Sequence, residues 1–206
     1  VMADNKELQV LDYVEDLVNR YPILNDCKEA ILKAYVILKE TYINKGKLLV
    51  AGNGGSAADA DHIVGELMKG FCLPRRVSNE FANRLKEIDG DKGGVLADKL
   101  QGALPAIALI NHNALSTATT NDIDGSVCYA QQIMGYGTEG DSFWGISTSG
   151  NSKNVINAAI TAKAIGMKVI GLTGASGGEL LNLADVCICV NEVETYKIQE
   201  LHLPIY

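Results

Sequence analysis

The stretch LLVAGNGGSAADADHIVGELMKGF, residues 48–71, decides the fold. An apolar run turns through Gly52, Gly54 and Gly55 and gives way to a segment that then presents His62 and Glu66 four residues apart. A short continuous apolar run suits a strand buried on both faces, and glycines leading into a helix make a tight strand-to-helix turn. The same kind of run recurs in LPAIALI (104–110), SFWGIST (142–148), KVIGLTG (168–174) and VCICV (186–190). Between the runs lie segments of helical length, among them NVINAAITAKAIG (154–166), whose Val155, Ala158, Ala159 and Ala162 fall on one face. Strand alternating with helix predicts the α/β class: a five-stranded parallel sheet flanked by helices, a Rossmann-like three-layer sandwich.

Ahead of the first run, Val10, Val14, Leu17 and Tyr21 recur at helical spacing, as do Ile31, Tyr35, Leu38 and Tyr42. Residues 1–45 therefore read as two amphipathic helices laid against an α/β core of residues 46–206. The irregular, charged stretch 75–101, broken by Gly90, Gly93 and Gly94, reads as a helical insertion between the first two strands. With 206 residues and 47% hydrophobic composition, the whole, 1–206, is expected to form a single domain. Val1 ahead of Met2 reads as a residue left by cloning.

Net charge is −7 and no basic cluster exceeds Arg75-Arg76, which argues against direct contact with nucleic acid. No apolar run has the length of a membrane span and the start lacks a signal peptide, so a cytoplasmic location and no membrane partner are expected. The five cysteines are scattered and never form a CxxC pair, which suits free thiols better than a disulfide or zinc framework.

In an open parallel sheet ligands gather at the carboxyl ends of the strands. Three loops there share a chemistry: GNGGS (52–56), STSGNS (147–152) and TGASGG (173–178). Glycines let backbone N–H groups point at a ligand, hydroxyls add donors, and helix N-termini add positive potential, which together suit a phosphate. A Walker A loop would need Gly-Lys followed by Ser or Thr, and none is present. GNGGSA does match G-x-G-x-x-A, but a dinucleotide site expects an acidic residue about 20 positions on. The second strand instead ends INHN (110–113), so no nucleotide cofactor is expected.

GNGGSAADADH with Glu66, the pair Asn121-Asp122, the run GISTSGNSKNVINA and the closing IQELH together resemble the sugar isomerase (SIS) domain family, and within it the phosphoheptose isomerases. The resemblance implies an SIS-type fold and an aldose–ketose isomerase that converts sedoheptulose 7-phosphate to D-glycero-D-manno-heptose 7-phosphate. It implies that Asn53, Gly54, Gly55, Ser56 and Gln199 line the sugar-phosphate site and that Ser147, Thr148, Ser149 and Ser152 bind phosphate. Asn121 and Asp122 would complete the sugar pocket. Glu66 would be a catalytic base and, with His62 and Gln199, a ligand of Zn2+ in metal-bound members. It also implies a homotetramer with sites at subunit interfaces. Independently of the resemblance, His62 and Glu66 at i and i+4 project from one helix face.

Three positions depart from the family pattern. Its catalytic histidine would fall just after Tyr206, so the sequence is expected to stop inside its last helix and to be part of a longer protein, leaving His202 as the histidine of that helix. Tyr196 stands where a small or acidic residue is usual, and Gly70 where an arginine often grips the substrate, with Lys69 beside it. The alternative class is a non-catalytic SIS protein that binds a phosphosugar, or a partner protein such as a replication initiator.

Overall fold

The computed structural model describes the backbone of residues 2–206 and side chains from residue 10 onward, and Val1 lies outside the described residues. Five parallel strands form one sheet: β1 (Leu48–Ala51), β2 (Ala106–Ala108), β3 (Ser142–Ile146), β4 (Lys168–Thr173) and β5 (Val186–Cys189), in the order β2-β1-β3-β4-β5. The architecture matches the expectation, although the second run yields a strand of only three residues before a 3-10 turn at Leu109–Asn111. All residues of β1 and β3 are buried, because helices cover both faces.

Alternation along β1 divides the core. Leu48 and Val50 pack with Trp144, Ile170 and Ile188 under α1 (Met2–Arg20), α2 (Lys28–Ile43) and α3 (Gly55–Met68). Leu49 and Ala51 pack on the other face with Phe143 and Val169, under α7 (Cys128–Tyr136), α8 (Lys153–Ile165) and α9 (Gly178–Leu183). The alanine stripe of α8 has the expected role: Val155, Ala158, Ala159 and Ala162 are fully buried. In α1 and α2, Val14, Leu17 and Ile31 face the core as expected, whereas Tyr21 and Tyr35 turn outward.

Residues 75–101 contain α4 (Asn79–Ile88) and α5 (Gly90–Lys99), an antiparallel hairpin whose ends meet in a bridge between Arg76 and Gln101. Ser78 and Asp89 cap the two helices, each accepting a backbone N–H from three residues ahead. After β2, α6 (Asn113–Thr119) runs into a π-helical turn at Thr120–Asp124. The last helix, α10 (Thr195–His202), closes in a turn, where the sequence reading has the helix continuing to Tyr206. Pro204, which has no N–H to donate, follows that helix end by two residues.

Candidate functional site

The strand order places a topological switch between β1 and β3: α3 leaves β1 toward one face of the sheet and α8 leaves β3 toward the other. The crevice between them is where an α/β sheet receives ligands. GNGGS forms one lip. Gly54 caps α3 at φ +56°, a conformation open to glycine, and a Cβ on Gly55 would stand 2.5 Å from Nε2 of Gln199. The amide of Gln199 thus reaches the α3 N-terminus from α10, bringing two of the expected site residues together. Ser56 is buried beneath the loop, whereas Asn53, Gly54 and Gly55 are exposed.

STSGNS forms the opposite lip. Ser147 is buried, and its Oγ lies 2.9 Å from Oγ of Ser152. Ser149 is exposed and accepts the Asn151 N–H through its Oγ at 3.1 Å, keeping its own proton to donate. Both lips end in helix N-termini, so α3 and α8 turn their positive ends toward the same region. The third loop is partly occupied with bracing its neighbours. Two of the backbone donors of TGASGG brace neighbouring loops: Gly174 N–H goes to the Thr148 carbonyl and Ala175 N–H to that of Glu192, while just beyond the loop Leu180 N–H goes to that of Gly150.

Down α3, His62 Nε2 lies 3.4 Å from Glu66 Oε1. Ten residues separate Ser56 from Glu66, which sets the carboxylate about 15 Å along the helix axis from the first lip. Tyr206 folds back onto this face, donating to Asp59 Oδ1 at 2.9 Å with its oxygen 3.3 Å from His62 Nδ1. Burial raises the Asp59 carboxyl, opposed by that hydrogen bond and by His62. Glu66 Oε2 is buried without a partner and borders a cleft of about 340 Å³, otherwise walled largely by apolar side chains such as Ile31, Leu38, Trp144 and Ile188.

Comparison with known proteins shows the family and the fold. Residues 91–174 match the SIS domain model. The chain is 39% identical over 188 residues to the phosphoheptose isomerase of Aneurinibacillus thermoaerophilus, covering 86% of this chain and 82% of that one. The chain belongs to the phosphoheptose isomerase family. A family member from Crocosphaera subtropica is 41% identical over 160 residues, covering 78% of this chain and 68% of the relative. Among solved structures, a phosphoheptose isomerase from Francisella tularensis superposes with a TM-score of 0.72 at 30% identity, over 97% of this chain and 96% of that one. One from Neisseria gonorrhoeae gives 0.70 at 30% identity, over 100% and 95%.

The remaining residues implied by the phosphoheptose isomerase pattern have varied surroundings. Asn121 and Asp122 sit exposed on the π-helical turn and bond to each other, Nδ2 to Oδ1 at 2.8 Å. His202 is fully buried, with Nε2 3.2 Å from the Thr173 carbonyl and Nδ1 unpartnered. Desolvation pushes its pKa down to about 4, so the ring is neutral near pH 7. The structure therefore gives His202 a packing role and corrects its candidacy as a catalytic group: a ring with no exposed edge cannot reach a substrate. Gly70 is tightly enclosed, since a Cβ there would meet Gln101 Oε1 at 2.5 Å and the Leu73 carbonyl at 2.6 Å, and this leaves no room for the family's arginine. Lys69 and Tyr196 are exposed.

Among the described residues no cluster of three or more His, Cys, Asp or Glu could hold a metal ion. Sequence reasoning missed Asp59, Tyr206, Tyr129 and Asn154. Asn154 lies in the quoted GNSKNV run and so carried a local signal, whereas Tyr129 reaches Gly52 across 77 residues and carried none.

Proposed function

We propose that the chain interconverts sedoheptulose 7-phosphate and D-glycero-D-manno-heptose 7-phosphate. The observation that carries this reading is a crevice at the sheet's switch point, rimmed by hydroxyl-bearing loops and two helix N-termini, from whose lip one helix leads to a partly buried carboxylate with an unpartnered oxygen. The identity of 39% to a phosphoheptose isomerase, over 82% of that protein, supports the same conclusion.

In this reading Ser147, Thr148, Ser149 and Ser152 hold the phosphate at the N-terminus of α8. Asn53, Gly54, Gly55, Ser56 and Gln199 line the sugar, with Asn121 and Asp122 completing the pocket. Glu66 takes a proton from C-1 of the ketose and returns it at C-2, while a hydroxyl proton passes from O-1 to O-2 through an enediolate. Helix N-termini and hydroxyl donors aimed at the crevice need no reorganisation when charge develops. The distance from the lip to Glu66 supports a site shared between subunits, in which Glu66 of one copy faces the loops of another, and a homotetramer supplies such boundaries. Five free thiols support a reducing, cytoplasmic setting.

Zinc fits part of this face. His62 and Glu66 offer a nitrogen and an oxygen donor from adjacent turns, and the orphaned Oε2 is the kind of atom a cation satisfies. Gln199, the third donor the family pattern implies, lies against Gly55 at the far end of α3 and would have to come from another subunit. When bound, the ion would act as a Lewis acid for the sugar oxygens.

The test is conversion of sedoheptulose 7-phosphate with and without added zinc, by the wild type and by Glu66→Gln. The substitution should cut turnover by about 10² to 10⁴ while the sugar phosphate still binds. A wild type that binds the sugar phosphate without converting it would replace the isomerase with a phosphosugar sensor or adaptor.

A further inference from the structure

The two lips of the crevice are tied together by side-chain hydrogen bonds. Asn53, just after β1, and Asn154, in the first turn of α8, pair their amides reciprocally: each Nδ2 donates to the other's Oδ1, both at 2.9 Å. The Val155 N–H also donates to Asn154 Oδ1 at 3.0 Å, which fixes which way that amide faces. Tyr129, buried in α7, donates to the Gly52 carbonyl at 2.7 Å, and its oxygen lies 3.3 Å from Asn53 Oδ1. Desolvation pushes the Tyr129 phenol up to about 12, so it stays a donor across the physiological range.

The arithmetic of donors gives the pairing its meaning. A primary amide has two N–H groups, and the pair with Asn154 consumes one of those on Asn53. Asn53 is exposed, so its second N–H is left for a ligand oxygen, and its direction is set by Asn154 and Tyr129. We propose that Asn154 and Tyr129 are positioning residues: they orient the Asn53 amide toward the sugar and fix the spacing between that amide and the phosphate-binding hydroxyls of the other lip. This inference rests on the sugar-phosphate reading of the crevice. It adds a division of labour to that reading. The serine loop grips the phosphate by itself, and the amide clamp discriminates the sugar attached to it.

The test compares wild type, Asn53→Ala, Asn154→Ala, Tyr129→Phe and the double variant Asn53→Ala/Asn154→Ala. Three quantities are read: KM and kcat for sedoheptulose 7-phosphate, the calorimetric Kd of inorganic phosphate, and Tm. Asn154→Ala should raise KM roughly tenfold, and Tyr129→Phe a few-fold, the range expected for lost hydrogen bonds to an uncharged partner. The Kd of inorganic phosphate should stay within about twofold, and the double variant should be no worse than Asn53→Ala alone, because Asn154 acts through Asn53. A lowered Tm with unchanged KM, a phosphate Kd that worsens in step with KM, or full additivity in the double variant would overturn the clamp while leaving the activity intact. If the wild type binds the sugar phosphate without turning it over, the isomerase reading falls and the same comparison, made on the Kd of sedoheptulose 7-phosphate, decides the clamp. A wild type that does not bind it at all overturns both.

Discussion

The two ends of the parallel sheet use polar side chains for opposite purposes. At the amino ends, Asp141 is almost fully buried and saturated: it accepts from the Lys47 N–H at 2.9 Å, from Lys47 Nζ at 2.5 Å, and from the Thr138 N–H and hydroxyl at 2.9 and 2.8 Å. Thr41 and Ser142 share a buried hydroxyl pair beside it. At the carboxyl ends, Asn53 and Ser149 keep a donor in reserve, Asn53 being held by a clamp and Ser149 by a loop turn. Glu66 lies beyond, with one oxygen orphaned. A buried polar group with every bond made stabilises the fold, and one with bonds left over can serve a ligand.

The sharpest way to break that contrast is at Asp141. Burial alone would raise its carboxyl, but the bonds from Lys47 and Thr138 outweigh it and hold the pKa below the ordinary 3.8. Asp141→Ala strands Lys47 and should cost about 3 kcal/mol or more. That is a fall in Tm of roughly 6 to 12 °C, measurable by calorimetry, with KM unchanged.

Next in size is the buried imidazole. The unfolded chain takes up a proton at His202 near 6.5 and the folded chain only near 4, so stability is full above about pH 6.5 and falls as the pH drops toward 4. The loss should reach about 3 kcal/mol, and His202→Gln should flatten the dependence of Tm on pH over that window. Asp141 acts lower, since its depressed pKa withdraws stability only as the pH falls below about 3.8, and two separate acid steps should therefore be seen in the wild type. The smallest effect belongs to the carboxyl ends. Ser149→Ala should weaken sugar-phosphate binding by about 1 to 3 kcal/mol, read by calorimetry, with Tm nearly unmoved.

Legibility in the sequence followed the range of the forces involved. The apolar runs announced the strands because burial on both faces leaves a continuous signature, and the alanine stripe of α8 did so through its helical period. GNGGS and STSGNS were readable as loops because glycine and hydroxyl residues mark strand-to-helix turns locally. The amide clamp was not readable, since Asn53 and Asn154 stand 101 residues apart and meet only because β1 and β3 are neighbours. TGASGG is a mixed case: its composition suits phosphate, but the N–H groups of Gly174 and Ala175 are consumed by neighbouring loops, a fact of tertiary packing. His202 resembles a surface histidine in its local sequence, and only the approach of α10 to Thr173 removes it from water.

The α4–α5 hairpin stands on feet that touch. Arg75 pins them, donating to the carbonyls of Leu67 and Gly102, while the Gly102 N–H returns to the Arg75 carbonyl at 2.7 Å. Gly93 is the buried residue of the two helices, tucked against Leu85 within the hairpin itself. An excursion that leaves and rejoins the chain at one point costs the sheet little loop-closure entropy and lends it few contacts. Mechanically the hairpin is a side branch, rooted at one clasp rather than strung between β1 and β2.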